Sequence, residues 1–189
     1  MITWISRSLL AALALTALSG CEEAPGANTE DGSVFALQQL QMASGAVTLV
    51  PPEGYCIDRR SVRRRFALMA RCDVLGLEGA GRGAPLGVII VSLTPLAADA
   101  PLPTPQQNAA ALGLSSVSGP VTRETSVVFR AEGAAPAQDL SQEHWRGVAR
   151  VKEFGLGLAF YRQNDAGRIS REGRDLLSEL IRRTQASSG

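Results

Sequence analysis

The sequence predicts an α+β fold, a largely antiparallel sheet of about five to six strands with two main helices, the second of them amphipathic and C-terminal. Three observations predict it. Short apolar stretches, some rich in Val and Ile and some alternating with polar residues, recur between Pro and Gly breaks, as at 86–93 and 145–151. Full helix signatures stand at Thr104 and at Ser170. No regular strand-helix-strand alternation demands a parallel sheet.

At the N-terminus, Arg7 precedes an apolar run over 9–18 and then Leu18-Ser19-Gly20-Cys21, the basic, apolar and small-residue order of an export signal. A transmembrane helix needs about 20 apolar residues. This run is shorter and is followed at once by Cys21-Glu22-Glu23-Ala24-Pro25, so it reads as cleaved rather than retained. The tetrad resembles the lipobox of bacterial lipoproteins. The resemblance implies diacylglycerol on the Cys21 thiol, cleavage before that residue and acylation of the new amino group, and several acyl chains anchor stably where one does not. In enterobacterial lipoproteins an aspartate after the lipidated cysteine favours the inner membrane; Glu22 is not aspartate, so the resemblance leans toward the outer membrane. The expected organisation is a signal peptide over 1–20, a lipidated flexible tether over 21–44 and one α+β domain over 45–189.

Residues 22–31 are acidic, interrupted by Pro25 and Gly26, and too poor in apolar side chains to pack. The spacing of Val34, Leu37 and Gln41 predicts a short helix within 33–42. Residues 46–50 read as a strand, stopped by Pro51-Pro52 and a Glu53-Gly54 turn, and 55–57 resumes an extended path. Asp58 is placed to cap a helical turn at the start of 59–65. The apolar run 66–75 fits a strand or a helix by periodicity, and a strand is the expectation. Residues 86–93, between Pro85 and Pro95, suit a strand buried on both faces.

A Pro- and Ala-rich linker over 94–103 leads to Thr104-Pro105-Gln106-Gln107, a capping box with proline at the first helical position, and Gly113 stops that helix. Residues 121–130 alternate as one half-buried strand, and 133–139 is the following loop. In 145–151, Trp145, Gly147, Ala149 and Val151 share one side, while His144, Arg146, Arg150 and Lys152 form a basic stripe on the other. Leu156, Leu158 and Phe160 mark the next strand, and 164–167 turns the chain. Ser170 then caps a last helix with the stripe Leu176, Leu177, Leu180 and Ile181, acidic early and basic late.

Removing 1–20 takes away Arg7 alone and leaves equal numbers of basic and acidic side chains, so no global field steers the domain to nucleic acid or acidic substrates. The export signal excludes nucleic acid by compartment as well. With Cys21 committed to lipid, Cys56 and Cys72 remain as a pair in an oxidising space, and a disulfide is the expectation. Two thiols and one histidine make no zinc set, and neither a metal nor another cofactor is expected. The chain carries no Gly-x-Ser-x-Gly, Ser-x-x-Lys or His-Glu-x-x-His, and the glycines of 79–83 lack the lysine of a phosphate loop. His144, the sole histidine, reads as a solvent-facing strand residue.

One cluster suits anion binding. Arg59, Arg60, Arg63, Arg64 and Arg65, with Arg71 beyond, offer guanidinium groups that hold phosphate or carboxylate in bidentate fashion. The plainer reading is a solvated turn balanced by Asp58 and Asp73. The order of elements resembles the Mog1/PsbP-type sandwich, a likeness of layout that transfers no functional residue. Gly54-Tyr55-Cys56-Ile57-Asp58 with Phe66-Ala67-Leu68-Met69-Ala70-Arg71-Cys72-Asp73 is similar to segments of alphaproteobacterial lipoproteins, which implies a location and no activity. The expected function is that of a membrane-anchored envelope lipoprotein, a binding module rather than an enzyme. Its expected partners are the membrane, through the N-terminal lipid, and an envelope protein, an anionic lipid or a cell-wall component. The alternative is a periplasmic hydrolase with an unrecognised carboxylate or serine site.

Overall fold

Ten strands, two helices and one 3₁₀ turn are formed by the residues described in the computed structural model, 35–164 and 170–189. The export signal, Cys21, most of the tether and the 164–167 turn beyond Asn164 lie outside them. The strands are β1 (Ala36–Leu37), β2 (Leu40–Met42), β3 (Val47–Leu49), β4 (Tyr55–Asp58), β5 (Phe66–Arg71), β6 (Gly87–Pro95), β7 (Ser115–Arg123), β8 (Ser126–Glu132), β9 (Glu143–Val151) and β10 (Phe154–Arg162). The helices are α1 (Pro105–Ala111) and α2 (Glu172–Ser187). Eight strands make one sheet in the order β1-β4-β5-β6-β10-β9-β8-β7, and β2 pairs with β3 in a separate hairpin. Every pairing is antiparallel. The α+β class stands, but the sheet is larger than five to six strands.

The extra strands arise where local pattern was weakest. Residues 36–42 are extended, not helical: Ala36 pairs with Asp58 and Leu37 with Ile57, while Met42 is buried. A helix this short cannot recover its nucleation cost, whereas an extended path completes a sheet edge. The fold therefore starts ahead of residue 45, and 36–44 belong to it rather than to a tether. The segment 121–130 is the corner of a hairpin, not one strand, because the chain reverses at Glu124-Thr125 between Arg123 and Ser126. The strand expected over 66–75 ends at Arg71, and the apolar pattern continues because the turn after it folds Leu75 back into the interior.

Helix α2 closes one face of the sheet. Leu177, Leu180 and Ile181 pack there with Ala149, Leu156, Leu158, Phe160, Ile89 and Val91. The C-terminal end of α2 is tied to the hairpin by Thr48 N–H donating to Ser188 Oγ at 3.0 Å. The second face has its own core of Val127, Phe129, Ala131 and Val148, covered by Leu102, Leu114 and Val117 from the segments flanking and following α1. Strand β8 is thus buried on both faces. Strand β6, the one expected to be so, buries Ile89, Val91 and Leu93 on the α2 side and leaves Ser92 and Thr94 exposed on the other.

The cap of α1 is the one the sequence implies. Thr104 Oγ1 accepts from Gln107 N–H at 3.1 Å and Gln107 Oε1 accepts from Thr104 N–H at 2.9 Å. The expected cap of α2 is displaced by one residue: Arg171 holds the N-cap position with no side-chain capping bond, and Ser170 Oγ, one residue earlier, accepts from the Glu172 amide at 3.2 Å. Among the described residues no helix is long and apolar enough to cross a membrane.

Candidate functional site

The arginine run forms the connection between β4 and β5. Asp58 starts it, accepting from Arg60 N–H and from Arg60 Nε at 3.0 Å each. That guanidinium holds the Asp58 carboxyl below its ordinary range, hydrogen bonding being the chief cause. Ser61 Oγ donates to Asp58 O at 2.7 Å and accepts from Leu68 N–H at 2.8 Å, pinning the 3₁₀ turn Arg59–Ser61 to β5. Arg63 and Phe66 exchange backbone hydrogen bonds at 2.8 and 3.3 Å, which leaves Arg64 and Arg65 at the corner of a tight turn. Arg60 also lies over the Phe35 ring, 4.7 Å from its centre, and the ring is 42 % exposed.

The five arginines therefore divide. Arg60 is used by the fold itself, and Arg63 turns part of its guanidinium to the carbonyls of Arg60 and Val62. Among the described residues no carboxylate pairs with Arg59, Arg63, Arg64 or Arg65, and all four are exposed. The expected balance by Asp58 and Asp73 covers only two cations, since Asp73 pairs with Arg71. Arg71 keeps the Asp73 carboxyl below the usual range, again mainly by hydrogen bonding.

Cys56 and Cys72 form the expected disulfide, with Cα atoms 4.9 Å apart. The bond is buried beside Leu75 and closes a covalent loop that contains the whole arginine turn.

His144 does not face water as expected, although Lys152 at the end of the same stripe is exposed. His144 is fully enclosed, its Nδ1 2.8 Å from Gln142 O, its ring stacked on Tyr161 with centres 4.3 Å apart, and its Nε2 without a partner. Strand parity was read correctly, but parity says which side chains share a face and not what covers that face. Arg150 is covered for the same reason: its Nη1 donates to Ala97 O at 3.0 Å and its Nη2 to Ala100 O, clamping the linker onto the sheet. Arg146 stands between them beside the Tyr161 hydroxyl, which favours its charge, while burial opposes it more strongly.

Burial lowers the His144 pKa below 6.5, outweighing the opposing hydrogen bond to the Gln142 carbonyl, and the charge of Arg146 adds to the lowering. The unfolded chain then takes the proton first as pH falls. Stability is complete above about pH 6.5 and declines below it, by at most about 1.4 kcal/mol per pH unit until the folded-state pKa is passed. Because His144 is the sole histidine, NMR titration of its imidazole is unambiguous. A midpoint below 6.5 is expected, and a midpoint at or above it would contradict the enclosure.

No protein-family profile and no curated protein matches this chain. Among solved structures it is similar to the solution structure of cyanobacterial PsbP (CyanoP) from Synechocystis sp. PCC 6803, at 11 % identity and a TM-score of 0.39, over 82 % of this chain and 92 % of that one. Nothing about the site is taken from a likeness of that size.

Proposed function

We propose that this chain is a membrane-anchored envelope lipoprotein whose domain is a binding module, with Arg59, Arg63, Arg64 and Arg65 resting on anionic lipid headgroups. The observation that supports it most is where residue 35 enters the sheet. The Phe35 carbonyl accepts from Arg59 N–H at 2.8 Å, so a lipid on Cys21 leads along the chain straight to the unpaired arginines. Thirteen residues lie between Cys21 and Phe35, a reach of at most about 50 Å over the fourteen steps. Strand β1 is one edge of the sheet and β7 the other, so the described chain enters on the side of the arginine turn, which supports that side as the one that meets the membrane. Each arginine near an anionic surface contributes about 1 kcal/mol, so four together strengthen local contact roughly a thousandfold. The outer membrane is the proposed location.

Two measurements on the full chain in its own membranes test this. Mass spectrometry of the mature N-terminus is expected to find acylated Cys21, and an unmodified N-terminus elsewhere would remove the anchor. A photoreactive residue in place of Arg64 is expected to crosslink phospholipid, and one in place of the exposed Ser116 on β7 is not. Equal lipid capture at both positions, or none at 64, would overturn the orientation. Changing Arg59, Arg63 and Arg65 to Gln should abolish lipid capture by the reporter at position 64, without lowering the melting temperature, because none of the three has a carboxylate partner among the described residues.

A further inference from the structure

The second face of the sheet is roofed but not sealed. A cleft of about 330 Å³ lies between α1 with its preceding linker and the strands β6, β10 and β9. Its floor is bare because Gly155 and Gly157 of β10 carry no side chain there, and a Cβ on Gly157 would come within 2.7 Å of Ser92 Oγ. Leu96, Leu102 and Leu112 make the walls apolar, with Leu112 left 49 % exposed at the rim. That volume is at the lower end of the range for small-molecule sites, and apolar walls with few polar groups are their usual composition.

Of the four polar residues in this lining, Ser92, Thr94, Asn108 and Arg146, the last two have enclosed side-chain atoms without partners among the described residues: Arg146 at Nε and Asn108 at Oδ1. Among the described residues no carboxylate pairs with Arg146. Its neighbours are the Tyr161 hydroxyl and the enclosed His144, while Arg150 on the same face spends two of its nitrogens on linker carbonyls. A half-buried guanidinium without a counter-charge is costly, and an anion that brings its own apolar surface relieves that cost while filling the cleft.

We infer that this cleft binds a small organic carboxylate with an apolar body, its carboxylate held by Arg146 and its hydrocarbon lying on Gly155 and Gly157 between the leucine walls. A single cation with no second free guanidinium beside it matches one carboxylate charge better than a phosphate dianion.

Calorimetric titration of the full-length protein in bilayer nanodiscs, with empty nanodiscs as the blank, tests this with 4-phenylbutyrate, 4-phenylbutanol, butyrate and inorganic phosphate. Phenylbutyrate is expected to bind at least tenfold more tightly than each of the other three. Arg146→Gln is expected to weaken phenylbutyrate by about 10- to 100-fold and to leave the alcohol unchanged, the effect of losing a charged hydrogen bond. Leu112→Glu, at a position 49 % exposed, is expected to weaken it about tenfold by placing a like charge at the rim while leaving the melting temperature unchanged. Equal binding of acid and alcohol, phosphate binding as tightly as phenylbutyrate, full affinity in both variants, or no heat with phenylbutyrate would each overturn the inference.

Discussion

Replacing both Cys56 and Cys72 by alanine is expected to lower the stability of the domain by about 3 kcal/mol, read as a fall in melting temperature of about 10 °C. The bond spans 16 positions of sequence, and closing a loop of that size removes about that much chain entropy from the unfolded state. Cys56 pairs in register with Ala70 on the neighbouring strand, so the crosslink adds to a hairpin that already forms in the sheet. Both sulfurs are buried in a small cluster with Leu75, and the double alanine variant therefore loses packing as well as the constraint. Reductant added to the wild type should bring its melting temperature close to that of the variant. A loss below about 1 kcal/mol would mean that sheet pairing alone holds the β4–β5 hairpin and its arginine turn in place.

The sequence was most legible where a local rule and the tertiary fold agree. The capping box at Thr104, the leucine stripe of α2 and the parity of β9 are each set by neighbours a few residues apart, and each is found in the fold. It was least legible where distant chain decides. Ala36 and Leu37 become strand because Asp58 and Ile57 offer an open edge, and nothing within 33–42 announces that edge. The reversal at Glu124-Thr125 uses neither Gly nor Asn, the residues that normally mark a two-residue hairpin. The candidate surfaces divide in the same way. The arginine run was visible as a cluster, but which arginines lack a carboxylate depends on the pairing of Asp58 and Asp73. The cleft was not visible at all: Arg146 read as part of a basic stripe on one sheet face, and the α1 segment that lines the cleft with it lies more than thirty residues earlier in the chain.

Gly173→Val is expected to destabilise the domain by about 3 kcal/mol, although helix propensity alone argues for replacing a glycine in the first turn of α2. An ideal Cβ at position 173 would lie 2.4 Å from Trp145 Cδ1 and 2.7 Å from Phe160 Cδ1. Neither ring has room to yield: Phe160 is fully buried, Trp145 is 6 % exposed, and the indole N–H is held by Ser170 O at 3.0 Å, directly ahead of the helix. Propensity favours alanine over glycine by at most about 1 kcal/mol, whereas forcing atoms into a packed core costs about 1–3 kcal/mol. Overpacking therefore wins even for Gly173→Ala, and the larger, β-branched valine adds to it. The relief, if the helix moves, must come from lifting α2 off β9 and β10, which would open the core formed by Leu177, Leu180 and Ile181. A second change separates steric conflict from a plain backbone effect: Phe160→Leu removes one of the two rings, so it should cost less in the Gly173→Ala background than in the wild type. Strictly additive losses in thermal or denaturant unfolding would show that α2 accommodates the new methyl by another route.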